Sequence, residues 1–366
     1  MRIIISGGGT GGHVYPAIAI ANALKEKGVK EILFVGALGK IEMEKVPKAG
    51  YNIQGLDIQG FHRTRKWRNI WFPFRLIKSM LKAKKIIEKF GPNIAIGVGG
   101  YASGPLLKMA QMKSIPTIIQ EQNSYPGITN KLLAKDARKI FVAYNGMDKY
   151  FDASKLVKSG NPVRKDLLNI FNLKADGIKH FNLNASKKTI LIFGGSLGAR
   201  SINKAVAAQE DMIAQFEDIQ IIWQVGKIYY DQYKNSHLAQ IKHVQVLPFI
   251  DRMDYAYSVA DVIVSRAGAL TISELTLVGK PSLLVPSPNV AEDHQTKNAM
   301  ALVNEDAALL VKDGEASDKM IIRAVELLHD TAAQQRLSTN LLQLAKPNAR
   351  EEIADEILKL GSYEAQ

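Results

Sequence analysis

The feature that most constrains the fold of this chain is a short apolar run that leads directly into a glycine-rich turn. Residues 3–5 are all isoleucine, and five of the six residues from Gly7 to Gly12 are glycine. Glycine adopts backbone conformations that other residues avoid, and it lets the backbone approach a ligand closely. A strand, a glycine turn and a helix in this order are typical of parallel α/β sheets, where the helix N-terminus faces a bound phosphate.

The same pattern recurs in the second half of the chain. Residues 189–193 form an apolar run that ends in Gly194-Gly195-Ser196-Leu197-Gly198. Short apolar runs alternate with helical patterns before and after it, which predicts open, mostly parallel α/β sheets. A chain of 366 residues is also too long for one ordinary core. We therefore predict two domains of this class, with strands over residues 3–6, 31–35, 94–98, 116–120, 140–143, 189–193, 220–225, 244–247, 262–265, 282–285 and 307–311.

Composition narrows the chemistry. The chain contains no cysteine, which excludes disulfides, thiolate metal sites and cysteine nucleophiles. Neither a secretory signal pattern nor a window of about 20 uninterrupted apolar residues is present, so we expect a cytoplasmic protein without a membrane-spanning helix. The net charge of +13 favours an anionic partner, such as nucleic acid, phospholipid or a phosphorylated substrate.

The first glycine turn also matches the pattern of a dinucleotide site, Gly7-x-Gly9-x-x-Gly12. A protein that binds NAD needs an acidic residue at the end of the second strand to hold the ribose hydroxyls. Here the residues that follow Val35 carry no acidic side chain before Glu42. We interpret the turn as a cradle for phosphate or pyrophosphate without NAD. The alternative is a tight turn that binds nothing.

Further glycine turns follow other predicted strands, at the sheet edge where α/β proteins bind ligands. Gly99 to Pro105 is one such turn in the first half of the chain. In the second half, Ser265 to Glu274 predicts a strand end, a turn of small residues and a helix start whose amides would face a phosphate. Glu274 lies about one turn into that helix and could accept both ribose hydroxyls. The alternative is a capping box formed by Thr271 and Glu274.

Eight segments in a fixed order resemble the bacterial MurG family across nearly the whole chain: "GGGTGGHVYPA", "GVGGYASGP", "EQNSYPGITNKLLA", "GNPVR", "GGSLGAR", "FIDRM", "SRAGALTISEL" and "EDHQTKNA". The resemblance implies a glycosyltransferase of the GT-B architecture, with two Rossmann-like domains facing across a cleft. Residues 1–161 with 346–366 would bind the acceptor and the membrane, and residues 162–345 would bind UDP-N-acetylglucosamine (UDP-GlcNAc).

The implied reaction moves N-acetylglucosamine from UDP-GlcNAc to the 4-hydroxyl of N-acetylmuramyl-pentapeptide on undecaprenyl pyrophosphate. It inverts the anomeric carbon and converts lipid I to lipid II in peptidoglycan biosynthesis. The motifs also imply the residues that bind the donor, in which Arg164 suits phosphate oxygens and Gln295 suits the sugar. For Gln295 the alternative is a solvated helix N-terminus. The implied donor contacts are Thr10, Gly11, Gly12, Asn123, Arg164, Ser196, Ile250, Ala269, Leu270, Thr271, Ile272, Ser273, Glu274 and Gln295.

The two glycine turns of the first domain would then hold the acceptor pyrophosphate. The residues concerned are Gly9, Gly100, Tyr101, Ser103 and Gly104. His13 would lie beside the acceptor sugar and is our candidate general base, because imidazole titrates near neutrality. Glu121 is the alternative base, and a purely structural His13 is a further alternative. No Asp-x-Asp pair stands at a strand end, so we expect helix amides and Arg164, without a metal or cofactor, to stabilise the departing UDP.

The excess positive charge is concentrated in one segment. From Arg63 to Lys89 the chain carries ten Lys or Arg and one acidic residue, interleaved with large apolar side chains. This composition favours an interfacial anchor on anionic lipid, formed by Trp67, Trp71, Phe72, Phe74, Arg75 and Lys78. Single-stranded nucleic acid is an alternative partner, and a solvated helix whose apolar face is core is another. With the resemblance, we expect a peripheral protein on the cytoplasmic face of the inner membrane, no nucleic acid, and cell-wall synthesis or division proteins as possible partners.

Two other functions remain open at this point. A sugar-nucleotide epimerase could share the fold and the UDP site, but it would convert UDP-GlcNAc without an acceptor. A nucleic-acid-binding protein without enzymatic activity would explain the charge, but it would leave Glu274, Gln295 and the glycine turns without a purpose.

Overall fold

The computed structural model describes residues 1–60, 71–290 and 293–363. The chain divides into two compact units, Met1–Val163 with Asn348–Gln366, and Arg164–Pro347. We call them the first and the second unit. None of the helices within the described ranges has the length and hydropathy that crossing a membrane requires.

The first unit is built on a parallel sheet of seven strands in the order β3-β2-β1-β4-β5-β6-β7. Its strands are β1 (Arg2–Ser6), β2 (Glu31–Ala37), β3 (Asn52–Leu56), β4 (Ile94–Gly97), β5 (Thr117–Glu121), β6 (Lys139–Val142) and β7 (Leu156–Lys158). Its helices are α1 (Gly11–Glu26), α2 (Glu42–Lys48), α3 (Phe72–Phe90), α4 (Ser103–Met112) and α5 (Ile128–Ala134), with short 3₁₀ turns at Met147–Lys149 and Ala153–Lys155.

The second unit contains a parallel sheet of six strands in the order β10-β9-β8-β11-β12-β13. Its strands are β8 (Lys188–Phe193), β9 (Ile219–Gln224), β10 (Val244–Leu247), β11 (Val262–Ser265), β12 (Ser282–Leu284) and β13 (Leu309–Leu310). Its helices are α6 (Lys174–His180), α7 (Arg200–Ala208), α8 (Glu210–Ala214), α9 (Lys227–Tyr233), α10 (His237–Gln240), α11 (Met253–Val259), α12 (Ala269–Val278), α13 (His294–Val303), α14 (Ala316–His329) and α15 (Thr331–Gln343), with 3₁₀ segments at Lys165–Asn172 and Asp313–Glu315.

The last helix, α16 (Ala349–Tyr363), belongs to the first unit and packs against α1. Ile353 and Ile357 enter the same buried cluster as the α1 residues Ile20 and Leu24. Arg350 is buried as well, and its Nη2 lies 2.6 Å from Oε2 of Glu26 at the end of α1. An ion pair and buried apolar contacts therefore hold α16 against α1.

The central strands are apolar on both faces because helices cover both faces of each sheet. Ile3 and Ile5 pack into the core on one side of the first sheet, and Ile4 packs into the core on the other. The prediction of two parallel, Rossmann-like sheets is confirmed, and the predicted apolar runs coincide with strands, including the edge strands β10 and β13 of the second sheet. The edge strands β3 and β7 were missed because β3 is partly polar and β7 has only three residues.

Candidate functional site

The first glycine turn joins β1 to α1, and its glycines serve different purposes. A Cβ atom on Gly7 would overlap Val98, and one on Gly8 would overlap the carboxyl group of Glu42. Gly9 has a φ of +85°, which side chains rarely adopt, and a Cβ there would meet nothing within 4 Å. The first two glycines are thus required by packing, whereas the backbone at Gly9 borders open space that a ligand could occupy.

His13 follows this turn on the first turn of α1. Its Nδ1 lies 3.0 Å from the carbonyl oxygen of Gly8 and 3.2 Å from Oγ1 of Thr10. A carbonyl oxygen only accepts hydrogen bonds, so we assign the proton of the neutral ring to Nδ1. The lone pair is then on Nε2, and the same nitrogen would be only 2.9 Å from a Cβ placed on Gly99. In this tautomer Nε2 is unprotonated, which is the form that a general base needs.

Glu121, the alternative base, is buried at the end of β5 and receives four hydrogen bonds. Its Oε1 accepts from the N–H of Asn123 at 3.0 Å and from the Asn123 side chain at 3.2 Å. Its Oε2 accepts from the N–H of Gly127 at 3.0 Å and from Asn130 Nδ2 at 2.8 Å. Both carboxylate oxygens are committed to ordering the loop between β5 and α5. This geometry favours a loop-holding role for Glu121 over proton transfer.

The second glycine turn lies beside the first because β4 neighbours β1 in the sheet. The N–H of Gly8 donates to the carbonyl of Gly99 at 3.3 Å. Gly100 has a φ of +91°, and a Cβ there would overlap the backbone of Gly8. Ser103 is buried, and its hydroxyl lies 2.8 Å from the Gly99 carbonyl and 3.1 Å from the Ser6 carbonyl. Its side chain therefore ties the turn to the sheet, which the sequence did not predict.

In the second unit, β11 leads into α12 through Gly268, which is the N-cap residue. No side chain caps this helix end, and Thr271 lies inside the helix, so the alternative of a capping box with Glu274 is wrong. The first turn of a helix leaves backbone N–H groups without an acceptor in the helix. Together with the helix dipole, those of Leu270 and Thr271 suit an anion.

Glu274 is buried one turn further along α12, where two side chains of the same unit approach it. Oη of Tyr257 donates to its Oε2 at 2.9 Å, and Nε of Arg164 lies 3.8 Å from its Oε1. Burial raises the pKa of the Glu274 carboxyl, while Arg164 and the Tyr257 hydrogen bond act in the opposite direction. The buried Arg164 Nε has no hydrogen-bond partner, and it also lies 3.6 Å from Asp166. A buried carboxylate and an unsatisfied guanidinium N–H at a helix N-terminus are groups that a polar ligand would satisfy.

Gln224 joins two loops that carry predicted donor contacts. Its Nε2 donates to the carbonyl of Gly195 at 2.9 Å, and its Oε1 accepts from the N–H of Ile250 at 2.8 Å. The glycine turn that contains Ser196 is thereby bonded to the loop after β10. Gln224 was not among the residues predicted from the sequence, although a glutamine that ends the apolar run "IIWQ" is a detectable signal.

Gln295 lies on the first turn of α13, and its Oε1 accepts from the N–H of Ser287 at 2.9 Å. Its amide group is thus oriented by the loop after β12. A cavity of about 230 Å³ lies beside Ile250, lined also by His180, Phe181, Gln245, Leu247, Phe249 and Asp251. Among the described residues, no three or more His, Asp or Glu side chains are grouped so that they could hold a metal ion.

The predicted membrane segment is only partly within the described residues, because Trp67 lies outside them. Trp71 and Phe74 at the start of α3 are 64% and 67% exposed, and their rings are tilted by 50° relative to each other at a centroid distance of 5.8 Å. Arg75 and Lys78 are exposed as well, whereas Phe72 is half-buried. The buried side of α3 carries Ser79, Ala83, Ile86 and Ile87. The exposed aromatic side chains therefore do not belong to the core.

Comparison with known proteins identifies relatives over nearly the full length. The family model described as "Glycosyltransferase family 28 N-terminal domain" matches residues 3–142, and the C-terminal domain model of that family matches residues 189–357. A Flavobacterium psychrophilum protein is 52% identical over 360 residues, covering 98% of this chain and 97% of the relative. That relative is named UDP-N-acetylglucosamine–N-acetylmuramyl-(pentapeptide) pyrophosphoryl-undecaprenol N-acetylglucosamine transferase.

Solved structures agree with this result. The crystal structure of Acinetobacter baumannii MurG has a TM-score of 0.76 and 29% identity, covering 98% of this chain and 99% of that one. A UDP-GlcNAc 2-epimerase from Neisseria meningitidis, solved with UDP-GlcNAc bound, has a TM-score of 0.69 at 15% identity and covers 98% and 100% of the two chains. At that identity the likeness to the epimerase shows the fold alone.

Proposed function

The chain belongs to the MurG family within glycosyltransferase family 28, and from that premise we propose that it transfers N-acetylglucosamine from UDP-GlcNAc to lipid I. The attacked group of the donor is its anomeric carbon, and the attacking group is the 4-hydroxyl of N-acetylmuramyl-pentapeptide on undecaprenyl pyrophosphate. The observation that carries the proposal is the buried Glu274 beside the N-terminus of α12, with Arg164 Nε, which lacks a hydrogen-bond partner, next to it.

We assign the nucleotide to the second unit. Glu274 would accept the ribose hydroxyls, while the first-turn amides of α12, Arg164 and Ser196 would bind the diphosphate. The Ile250 N–H donates to Gln224, so we assign the Ile250 carbonyl and side chain to uracil. Likewise the Gln295 Oε1 is bonded to Ser287, which leaves its amide N–H groups to the sugar. The assignment of Thr10, Gly11, Gly12 and Asn123 to the same donor rests on the family motifs.

We assign the acceptor to the glycine turns of the first unit. The Gly9 N–H donates to Glu42, so Gly9 would contribute room for pyrophosphate and no amide hydrogen bond. We also assign Gly100, Tyr101 and Gly104 to the acceptor pyrophosphate. The Ser103 hydroxyl donates to backbone carbonyls, so we assign it a structural role in the turn.

His13 would act as the general base. Its Nε2 takes the proton of the 4-hydroxyl as that oxygen forms a bond to the anomeric carbon. The bond between this carbon and the β-phosphate oxygen breaks on the opposite face, and UDP leaves with the electron pair. Inversion of the anomeric carbon follows from a single displacement. The α12 amides and Arg164 would stabilise the charge that develops on the leaving UDP.

We further propose that α3 attaches the protein to an anionic membrane surface, on the cytoplasmic face of the inner membrane where the acceptor lipid is held. The exposed Trp71 and Phe74 would insert at the headgroup level, and Arg75 and Lys78 would face anionic headgroups. The exclusion of nucleic acid and the involvement of cell-wall synthesis or division proteins remain predictions from the sequence.

The test is incubation of the full chain with labelled UDP-GlcNAc, with and without a lipid-linked muramyl pentapeptide. We expect label in the lipid fraction only when the acceptor is present, and an unchanged rate in EDTA. Conversion of UDP-GlcNAc to another UDP-sugar without acceptor would instead favour an epimerase. A complete loss of transfer in EDTA that magnesium or zinc restores would contradict the proposed stabilisation of UDP by amides and Arg164.

A further inference from the structure

Glu42 is a fully buried carboxylate outside the donor site, and the proposed mechanism gives it no role. It is the first residue of α2, and both of its oxygens accept backbone hydrogen bonds. Oε1 accepts from the N–H of Ala37 at 2.9 Å, and Oε2 accepts from the N–H of Gly9 at 2.8 Å. Because both partners are donors, the ionised form of the side chain fits this position.

The surrounding backbone is shaped to admit this side chain. A Cβ on Gly8 or on Gly36 would collide with the Glu42 side chain. The end of β2 is where a dinucleotide-binding protein holds ribose hydroxyls with an acidic residue. Here the Glu42 carboxylate instead accepts hydrogen bonds from the last residue of β2 and from the glycine turn. Glu42 therefore accounts for the glycines at positions 8 and 36.

The hydrogen bond to Gly9 connects Glu42 to His13 through one peptide group. The N–H of Gly9 and the carbonyl of Gly8 belong to the same peptide unit. The N–H side donates to Glu42 at 2.8 Å, and the carbonyl side lies 3.0 Å from His13 Nδ1. Hydrogen bonds in such a chain polarise one another, so the carboxylate strengthens the acceptor that faces the imidazole.

We propose that Glu42 is a positioning residue that sets the tautomer of His13 through the Gly8–Gly9 peptide. Enzymes that use histidine as a base often orient it with a carboxylate in direct contact; here one peptide unit stands between the two groups. Glycine on both sides of this peptide bond allows the unit to rotate when the carboxylate is lost. The carbonyl of Gly8 would then turn away, and His13 would lose the acceptor that holds its proton on Nδ1. This inference rests on the proposed role of His13 as base.

The test is a measurement of the His13 tautomer by NMR of the full chain with ¹⁵N-labelled histidine. The seven histidines are distinguished by comparison with a His13→Gln variant. The sample is held at about pH 8.5, where a normal imidazole is neutral. We expect the wild-type ring to carry its proton on Nδ1. A wild-type ring protonated on Nε2 overturns the proposal without any variant.

The variant pair is Glu42→Gln against Glu44→Gln. Both positions are on α2, but Glu44 is exposed and pairs with Lys48 at the surface. In E42Q only the oxygen of the new side chain can accept a hydrogen bond, so its NH₂ group would face the N–H of either Gly9 or Ala37, and two donors would oppose each other. We expect E42Q to mix the tautomers of His13 and to lower kcat at least about tenfold, while E44Q stays like the wild type. A circular dichroism spectrum and a cooperative thermal unfolding transition like those of the wild type verify that the first unit of E42Q is folded.

The outcomes separate the inference from the proposed function. A His13 spectrum of E42Q that matches E44Q overturns the role of Glu42, whatever the activity. An altered tautomer with undiminished transfer supports the connection from Glu42 to His13 and contradicts His13 as the base. If E42Q does not fold, Glu42→Asp is examined instead, since the shorter carboxylate keeps its charge but does not reach both N–H groups. An unchanged His13 tautomer in folded E42D also overturns the proposal.

Discussion

Tyr257 donates its phenolic hydrogen to Oε2 of Glu274 at 2.9 Å, and both side chains are buried in the second unit. Tyr257 lies on α11 and Glu274 on α12, so the hydrogen bond fixes the carboxylate relative to the helix N-terminus that we assign to the diphosphate. It leaves Oε1 directed towards Arg164 at 3.8 Å. A carboxylate held in this way is pre-oriented for a ligand that offers hydroxyl groups.

The Tyr257→Phe variant should bind UDP more weakly. The hydrogen bond is already present in the ligand-free protein, so its loss weakens binding only through the lost orientation of the Glu274 carboxylate, and we expect the Kd for UDP to rise roughly threefold to tenfold. Titration calorimetry of the wild type, Y257F and Y233F checks this, because Tyr233 is also a buried phenol of the second unit but packs against Trp223. Equal affinities in all three proteins would contradict a role of Tyr257 in the donor site.

The raised pKa of Glu274 predicts a pH-dependent stability difference between the wild type and Glu274→Gln. Burial makes the folded protein hold the Glu274 proton more tightly than the unfolded chain does, although Arg164 and Tyr257 oppose this. The contribution of the carboxyl to stability therefore falls as the pH rises from below the ordinary glutamate pKa through the raised value. We expect the Tm of the wild type minus that of E274Q to decrease between about pH 4 and pH 8.

Glu315→Gln provides a control of opposite sign. The hydrogen bond from Lys319 lowers the pKa of the Glu315 carboxyl, so its stabilisation is present above the ordinary glutamate pKa and is lost as the pH falls. The Tm of the wild type minus that of E315Q should rise slightly over the same interval. A difference for E274Q that rises with pH would show that burial does not dominate at Glu274.

Arg350→Ala should destabilise the first unit. Arg350 is buried where α16 meets α1, and it pairs with Glu26 at 2.6 Å and with Glu351 at 2.7 Å. Its carboxylate partners remain partly hydrated, so we expect a loss of about 1–3 kcal/mol in the free energy of unfolding, less than for a fully buried pair. Denaturant titration compares this variant with Lys359→Ala, an exposed ion-pair residue of the same helix. A loss no larger than that of K359A would contradict the contact as a stabilising one.

The double variant Trp71→Ser, Phe74→Ser should detach the protein from anionic vesicles. Each large apolar side chain contributes about 1.5–3 kcal/mol when it leaves water, so we expect the partition coefficient to fall at least about tenfold. Sedimentation with phosphatidylglycerol vesicles measures this effect, and a thermal unfolding transition like that of the wild type verifies that the first unit of the double variant is folded. Ile228→Ser is the matched control, because Ile228 is 69% exposed on α9 of the second unit. Unchanged sedimentation of the double variant would contradict the anchor.

The central strands and the positions of the glycine turns could be predicted from the sequence, because each is encoded by a short continuous stretch of residues. Strands such as β1 and β8 are buried on both faces and appear as continuous apolar runs. The strands that escaped prediction, β3 and β7, lie at the two edges of the first sheet, where β3 is partly polar and β7 has only three residues. Because β1 and β4 are neighbours in the first sheet, the C-terminal ends of these parallel strands bring the two glycine turns of the first unit together.

The sequence did not reveal which glycines serve packing and which border open space. Gly8 and Gly36 are glycine because Glu42 needs the room, and the contact with Gly8 joins residues that are far apart in the chain. In the same way, the engagement of Glu121 with Asn130 and of Gln224 with Ile250 depends on side-chain directions that spacing does not encode. The chemistry of the site was therefore predictable by residue type, whereas the division between ligand-facing and structural groups required the three-dimensional contacts.

The assignment of the nucleotide to the second unit and of the base to the first is tested most directly by two variants measured side by side. Equilibrium binding of UDP-GlcNAc and single-turnover transfer to the lipid-linked acceptor are measured for His13→Ala and Glu274→Gln. We predict that H13A binds UDP-GlcNAc with a Kd within about threefold of the wild-type value, while its rate of transfer is reduced at least about 100-fold. We predict that E274Q binds UDP-GlcNAc at least about tenfold more weakly than the wild type. Transfer by H13A at the wild-type rate, or wild-type affinity of E274Q, would contradict the account.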